Sequence, residues 1–390
     1  MDKINVLHLL DDEKFTDTAI SLFNECEGIT NDYLIGVEVE PPKMKYVKSK
    51  VAHIKKNFSR DYNEILLNPK YNLIVVHYLN YHKALAITML NAHAKVLWLM
   101  WGGDFYNTSL FNGPLYQEHT KRLVREIKLK TPYKSIVRPF LVDVAGMVFP
   151  RNRLYRILIK KAIQRVDYCA TVIPTEFALL KEMPFFKAKQ VYFAYGSLDN
   201  MVNKEDRIQP LASKIMIGNS SSPESNQLDV LVKLKNLNLD FEQIVVPLSY
   251  GNFKGYQEAI CKYGYAMFPN SFLPLTDFLP IEKYISLLKQ CGVAVFNHER
   301  QQAVGNVIAM LYLGSRVFLS ENNPLYAYLE KIGIIVFSIQ NDFIPANLVG
   351  LDLKDAEQNR NIIKNNYAKE IIQAGIDETI RVISSDMKIK

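Results

Sequence analysis

Short apolar runs rich in β-branched residues recur along this chain, and each ends in a polar loop that opens onto a helical pattern. No other feature restricts the fold as much, because parallel strands need a crossover and a helix supplies it. In the first half Ile4–Leu10, Asn31–Val37, Tyr71–Leu79, Lys95–Trp101, Val166–Ile173 and Gln190–Tyr195 read as strands. Helices are expected over Phe15–Glu25 and Lys83–Asn91, while Lys43–Lys56 is mixed. Asn200–Pro210 is polar and reads as a linker, after which the pattern restarts. Its strands are Lys214–Gly218, Glu242–Pro247, Tyr265–Pro269, Gly292–Phe296, Arg316–Leu319 and Gly333–Ser338. Helices are expected over Ser225–Leu237, Tyr256–Tyr263, Pro280–Gln290 and Val307–Leu313. The expected class is α/β: two Rossmann-like domains, residues 1–200 and 211–354, with parallel sheets facing across a cleft, then a polar helical tail over 355–390.

A length of 390 residues suits two such domains. The four cysteines, Cys26, Cys169, Cys261 and Cys291, show no C-x-x-C spacing. They fit buried thiols in a reducing compartment rather than disulfides or a zinc site. The first residues enter a strand pattern directly, without the charged and apolar regions of a signal peptide. No run approaches the roughly 18–20 apolar residues that span a bilayer. The expectation is a cytoplasmic protein, soluble or peripheral on the membrane.

Ligands of this fold class sit at the carboxyl ends of strands. Asn297–Asn306 follows one apolar strand and opens a helix. A helix start presents unpaired N–H groups and a positive dipole end, which suit a phosphate. Arg300 adds a planar cation, and Gln301, Gln302, Gly305 and Asn306 complete the loop. Glu299 is placed to accept sugar or ribose hydroxyls, and His298 stands beside it. An ordinary solvated helix start reads the same way. A second junction, Gly218, Asn219, Ser220, Ser221 and Ser222, offers hydroxyls and a close backbone approach. It lacks the G-x-x-x-x-G-K-[ST] pattern of a nucleotide-hydrolysing loop. Tyr250 and Gly251 end a further strand. Asp11, Asp12 and Glu13 end the first strand, and Asp104 follows Trp101–Gly103. A carboxylate at either place suits a general base, or equally a helix cap.

Lys121–Arg165 is strongly basic: Arg122, Arg125, Lys128, Arg138, Arg153, Arg156 and Lys160 are among its cations. The run Pro139–Pro150 inside it is apolar but too short to span. A peripheral contact with an anionic lipid surface or lipid diphosphate fits this pattern. A solvated helix face with a core segment also fits. Nucleic acid is not expected as a partner, since no reading motif accompanies the charge.

Trp101–Asp104, Gly218–Ser222, Val246–Gly251 and Arg300-Gln301-Gln302 with Gly305 and the later Asn323-Pro324 resemble glycosyltransferase family 56. The resemblance runs from about Leu7 to Leu329. It implies the GT-B fold and transfer of 4-acetamido-4,6-dideoxygalactose from a dTDP-sugar. The acceptor it implies is an undecaprenyl-diphosphate-linked glycan of enterobacterial common antigen synthesis, at the inner leaflet. It also implies inversion with no bound metal or other cofactor, the dTDP-sugar being a co-substrate. Many retaining GT-B enzymes carry two Glu with seven residues between them; here the position eight beyond Glu299 is Val307, which agrees with inversion. On this reading Ser220–Ser222, Arg300 and the N–H groups after Gln301 hold the diphosphate. The base lies near Val246–Gly251 and Phe272–Leu279, and Asp12 or Asp104 is the general base. A UDP- or GDP-sugar transferase with another acceptor, or a non-catalytic nucleotide or sugar binder, are the alternatives.

Overall fold

The computed structural model describes residues 3–39, 42–108, 110–130, 150–203, 205–207, 213–239, 241–251 and 253–388. In chain order the first elements are β1 (Ile4–Leu10), α1 (Thr16–Asn24), β2 (Ile29–Val37), β3 (Ala52–Lys56), α2 (Arg60–Leu66), β4 (Leu73–His77) and α3 (Tyr81–Met89). Then come β5 (Lys95–Leu99), α4 (Gly103–Tyr106), α5 (Glu118–Lys130), α6 (Pro150–Gln164), β6 (Tyr168–Ala170), α7 (Glu176–Lys181) and β7 (Lys189–Gln190). The second series is β8 (Lys214–Ile217), α8 (Gln227–Leu237), β9 (Ile244–Pro247), α9 (Tyr256–Met267), β10 (Phe272–Leu275), α10 (Ile281–Leu288) and β11 (Cys291–Phe296). It closes with α11 (Val304–Leu313), β12 (Arg316–Leu319), α12 (Pro324–Lys331), β13 (Phe337–Ser338), α13 (Leu353–Tyr367) and α14 (Lys369–Lys388).

Two compact units form. The first takes the described residues up to 111, those from 150 to 197, and those from 369 onward; the second takes 112–130 and 198–368. These units depart from the expected continuous division. Helix α5 joins the second unit because Leu123 enters its core beside Leu234 and Tyr256, with Ile127 packed against it. The expected helical tail is also divided, α13 going to the second unit and α14 to the first. Along α14, Ile372, Ile376, Ile380 and Ile383 are buried, a spacing that lays one apolar stripe on the first unit. Thr379 fixes the helix by exchanging hydrogen bonds with the backbone of Tyr192.

The first unit's sheet has the order β3-β2-β1-β4-β5-β6-β7, and the second unit's has β10-β9-β8-β11-β12-β13. All pairings are parallel. Strands β4 and β11 are buried along their whole length, as central strands covered on both faces must be. In each sheet the winding reverses beside its first strand, between β1 and β4 and between β8 and β11.

The strand expected over Tyr265–Pro269 is instead the end of α9, and the strand of that region is β10. An apolar run this short has no decisive period. The packing decides it: a Cβ on Gly264 would lie 2.2 Å from the Phe272 ring, so only glycine lets α9 settle on β10.

Candidate functional site

In the second unit the loops after β8 and β11 both leave the carboxyl ends of neighbouring strands at the reversal. That crevice is where ligands sit in open parallel sheets. Gly218 makes the turn after β8 at φ +70°, and Ser220 and Ser221 are buried. The Ser221 N–H donates to the Tyr250 carbonyl at 2.6 Å, and its Oγ donates to the same oxygen at 3.0 Å. At Gly251 (φ +138°) a Cβ would lie 2.5 Å from Ser221 Oγ, so this glycine permits the close approach of the two loops. Ser222 Oγ donates to the Glu224 carboxylate.

After β11, Asn297, His298, Glu299 and Gln301 are buried, and Arg300 and Gln302 are half-buried. Ala303 at φ +62° turns the chain into α11, whose start has no side-chain cap. Its first N–H groups and dipole therefore remain for another acceptor. Arg300 lies just ahead, its Nη1 donating to the Gln301 carbonyl at 3.1 Å. Gly305 is in the first turn of α11. Asn306 turns elsewhere: its Nδ2 donates to the Tyr284 hydroxyl of α10 at 3.3 Å. His298 Nε2 lies 3.2 Å from Asn219 Oδ1. Burial, and then the Arg300 charge, lower the His298 pKa to about 3, so its imidazole is neutral. With Nε2–H donating to Asn219, Nδ1 is a buried acceptor with no partner among the described residues, and the same holds for Gln301 Oε1 and Gln302 Oε1.

Glu299 is held from three directions. Its Oε1 accepts from Gln117 Nε2 at 2.5 Å and Ser320 Oγ at 3.4 Å, and its Oε2 accepts from Asn322 Nδ2 at 2.7 Å. Gln117 also exchanges a reciprocal amide pair with Asn297, at 2.9 and 2.8 Å. Asn226, left-handed at φ +48° and buried, accepts from the Gln117 N–H and donates to the carbonyls of Leu115 and Asn297. Asp229 accepts the backbone N–H groups of His119 and Thr120 and so caps the start of α5. A segment from before the expected linker is thereby fastened over both loops. Tyr116 belongs to it, its hydroxyl pushed up to about 12 by burial and then by Glu224.

Gln117, Asn226, Ser320 and Asn322 are not foreseen as site residues by the sequence reading. Gln117 gives no local signal, since its partners lie 109 to 182 residues away. Asn226 had one: an Asn directly before a helix, a residue type that tolerates the left-handed turn.

In the first unit, the two carboxylates expected as bases are both committed to structure. Asp12 accepts three backbone N–H groups, from Lys45 at 2.5 Å and from Tyr46 and Val47 at 2.9 Å. Burial acts against its charge, but these bonds outweigh it and lower the pKa. Asp104 is buried and accepts from the Leu79 N–H, Trp98 Nε1 and the Trp101 N–H, at 2.9, 2.8 and 3.0 Å. Burial raises its pKa even so. Both hold loops in place. Asp11 is paired with the buried Lys83 at 2.5 Å. Glu13 is different: burial and then Asp11 raise its pKa, and the Lys14 backbone is its hydrogen-bond donor.

Behind this edge runs a buried polar chain. Asn31 Nδ2 donates to the Phe23 carbonyl, which turns its Oδ1 to His8 Nε2 at 3.0 Å. His8 Nδ1 lies 3.1 Å from His77 Nε2, and His77 Nδ1 lies 3.0 Å from the Tyr195 hydroxyl. One assignment satisfies every member: Tyr195 donates to His77, His77 to His8, and His8 to Asn31, with both rings neutral. Burial lowers His8 to about 4 and holds His77 well below the ordinary imidazole range.

The basic segment is shared between the units. On α5, Leu123 and Val124 face inward while Arg122, Arg125 and Lys128 are exposed. On α6, Arg156 and Lys160 are exposed, Lys160 lying 5.1 Å from the Phe185 ring centre. Arg138 and the Arg153 side chain lie outside the described residues. No helix among the described residues is long and apolar enough to cross a membrane. Among the same residues, no three His, Cys, Asp or Glu side chains gather in a metal-binding arrangement.

Known structures share this architecture. Sucrose-phosphate synthase from Thermosynechococcus elongatus superposes with a TM-score of 0.59 at 9% identity, covering 98% of this chain and 100% of its own. The alpha,alpha-trehalose 6-phosphate synthase of Burkholderia multivorans gives 0.60 at 10% identity, covering 100% and 98%. A trehalose-6-phosphate protein from E. coli, solved with UDP-2-fluoro glucose, gives 0.61 at 10% identity, covering 98% and 99%. At such identities the likeness concerns the fold, which is that of the GT-B glycosyltransferases. The family described as 4-alpha-L-fucosyltransferase glycosyl transferase group 56 matches residues 149–371, more than half of the chain. The chain therefore belongs to glycosyltransferase family 56 and is a sugar-nucleotide glycosyltransferase.

Proposed function

We propose that this enzyme transfers a 4-acetamido-4,6-dideoxyhexose from a dTDP-sugar to a lipid-diphosphate-linked glycan, with inversion and without a bound metal. The observation that carries the donor assignment is the uncapped start of α11, beside Arg300 and at the sheet reversal. Arg300 and the first N–H groups of α11 are assigned to the diphosphate, while Ser221 and Ser222, whose hydroxyls donate to Tyr250 and Glu224, shape the facing Ser220–Ser222 loop. The hydrogen bonds to the diphosphate strengthen as the leaving dTDP gains charge, so they act mainly in the transition state. Rings at the carboxyl ends of β9 and β10 offer faces to the base: Tyr250 is 47% exposed and Phe278 73%.

Glu299 supports a deoxyribose nucleotide. A carboxylate offers about four acceptor positions, and Gln117, Ser320 and Asn322 take three here. One hydroxyl remains to be accepted, which matches the single free ring hydroxyl of dTDP better than the diol of UDP.

Glu13 is assigned as the general base, since Asp12 is committed to three backbone donors and Asp104 to two backbone donors and the Trp98 indole. It removes the acceptor hydroxyl proton, the acceptor oxygen forms the new bond to the anomeric carbon, and the electron pair of the broken bond leaves on dTDP. The exposed cations of α5 and α6 are assigned to the anionic inner-leaflet surface and the lipid diphosphate.

Thermal shifts with dTDP, UDP, GDP, CDP and ADP, in EDTA and in Mg²⁺, test the donor assignment. Ligand at a hundredfold excess over its Kd stabilises by about 2.7 kcal/mol. The expected result is a selective shift with dTDP that survives EDTA and disappears in Arg300→Ala. Preference for UDP or GDP overturns the dTDP assignment, and a shift that needs Mg²⁺ overturns metal independence.

A further inference from the structure

The second unit holds a cavity of about 310 Å³ between α8, the segment that leads into α5 and the residues that follow β13. None of the residues assigned to the diphosphate or the base lines it. Asp229, Val232, Lys233 and Asn236 reach it from α8, at the i, i+3, i+4 and i+7 spacing of one helix stripe. Val230, Ile339 and Phe343, all buried members of the unit's core, add apolar lining.

The polar part of the lining keeps its unused capacity on donors. Asp229, its one carboxylate, already accepts the His119 N–H at 2.8 Å and the Thr120 N–H and hydroxyl at 3.0 and 2.6 Å. Lys233 gives one of its three ammonium N–H groups to the Ile339 carbonyl at 2.6 Å and stands 5.6 Å from the Phe343 ring centre. Asn297 Nδ2 uses one N–H on Gln117 Oε1 at 2.8 Å, and Gln340 Nε2 uses one on Ser320 Oγ at 3.0 Å. The exposed side chains of His119 and Asn236 have no partner among the described residues. Burial lowers the pKa of Lys233, a penalty on its charge that an anion beside it offsets.

This lining selects a ligand class. Surplus N–H donors around a partly desolvated ammonium favour an oxyanion over a cation. The apolar side chains favour a compact organic body, and the volume lies at the lower end of the roughly 300–1,000 Å³ of small-molecule pockets. The cavity also touches the network that holds Glu299. Gln117 bonds Glu299 directly, Asn297 pairs with Gln117, and Gln340 reaches Glu299 through Ser320. An occupant that orders these amides orders Glu299 before the donor arrives, so the two ligands favour each other's binding.

We propose that this cavity is an effector site for a small organic oxyanion, whose occupancy tightens binding of the nucleotide donor. The tightening rests on the donor reading above; the oxyanion site itself does not. Saturation-transfer NMR on the full chain tests it, with benzoate and phenyl phosphate as probes and benzyl alcohol as the uncharged comparison. At least one oxyanion is expected to receive saturation, and benzyl alcohol much less. Excess dTDP should not displace it, and Arg300→Ala should keep the signal. Loss of a charged hydrogen-bond partner weakens binding by about tenfold or more, so Lys233→Met should raise the probe's Kd by that order. Asn236→Asp, which places a repelling charge at an exposed position, should raise it too. Both variants should keep the wild-type Tm. No saturation by either oxyanion, displacement by dTDP, or a Kd unchanged in both folded variants overturns the site. With the probe saturating, the Kd of dTDP should fall by about fivefold, and an unchanged Kd overturns the effector role. The failures are separable: probe binding without any nucleotide shift overturns the donor reading alone, and the reverse result overturns the oxyanion site alone.

Discussion

Asp12 and Glu13 are neighbours at the end of β1, yet their surroundings give them opposite properties. Backbone N–H groups stabilise the charge of Asp12, whereas burial and Asp11 work against the charge of Glu13. A base with a raised pKa is better matched to neutral pH. Glu13→Gln is therefore expected to lower kcat by roughly 10²–10⁴-fold while the dTDP thermal shift persists. The acidic limb of the wild-type pH–rate profile should rise as Glu13 deprotonates, and the variant should lose that limb. If Asp12→Asn abolishes the limb and Glu13→Gln does not, the assignment is wrong. His8 gives a stability prediction. Its folded pKa is about 4 against an ordinary 6.5, so between those values the unfolded chain binds more protons. Stability is thus unaffected above about pH 6.5 and falls as pH drops toward 4, by on the order of 3 kcal/mol. Melting at pH 8 and pH 5 should show the fall, and His8→Gln should reduce it. The sequence pointed to Glu299 and Arg300 because both lie where a strand meets a helix. It could not point to Gln117, whose importance comes from chain segments distant in sequence.

Elements repeat this contrast. The central strands were legible because continuous apolar runs admit few other structures, and β1 and β12 keep their expected limits. Helix α5 reads in the sequence only as a basic stretch, since its buried Leu123 and partly buried Ile127 find their partners in a core assembled much later in the chain. Replacing Arg122, Arg125 and Lys128 together with Glu should abolish binding to anionic vesicles without changing the dTDP shift; retained vesicle binding would remove α5 from the membrane assignment. Helix α14 should matter to the first unit. Ile376→Ala is expected to cost about 2–5 kcal/mol, with limited proteolysis cutting first within residues of the first unit. Early cleavage confined to the second unit would contradict that placement.

At the scale of the whole molecule, two parallel sheets were foreseen from alternation alone, but the path between them was not. Composition marks a linker near residue 200, whereas the chain enters the second unit at 112, is back in the first by 150, and returns to it after 368. Polarity shows where a chain is solvated, not which core a helix will join. The placement of α14 also sets an order of assembly during translation. The apolar surface that α14 covers emerges from the ribosome with the first unit, but its cover is made only after the whole second unit has been synthesised. The part of the protein that is translated first is consequently the part that is finished last.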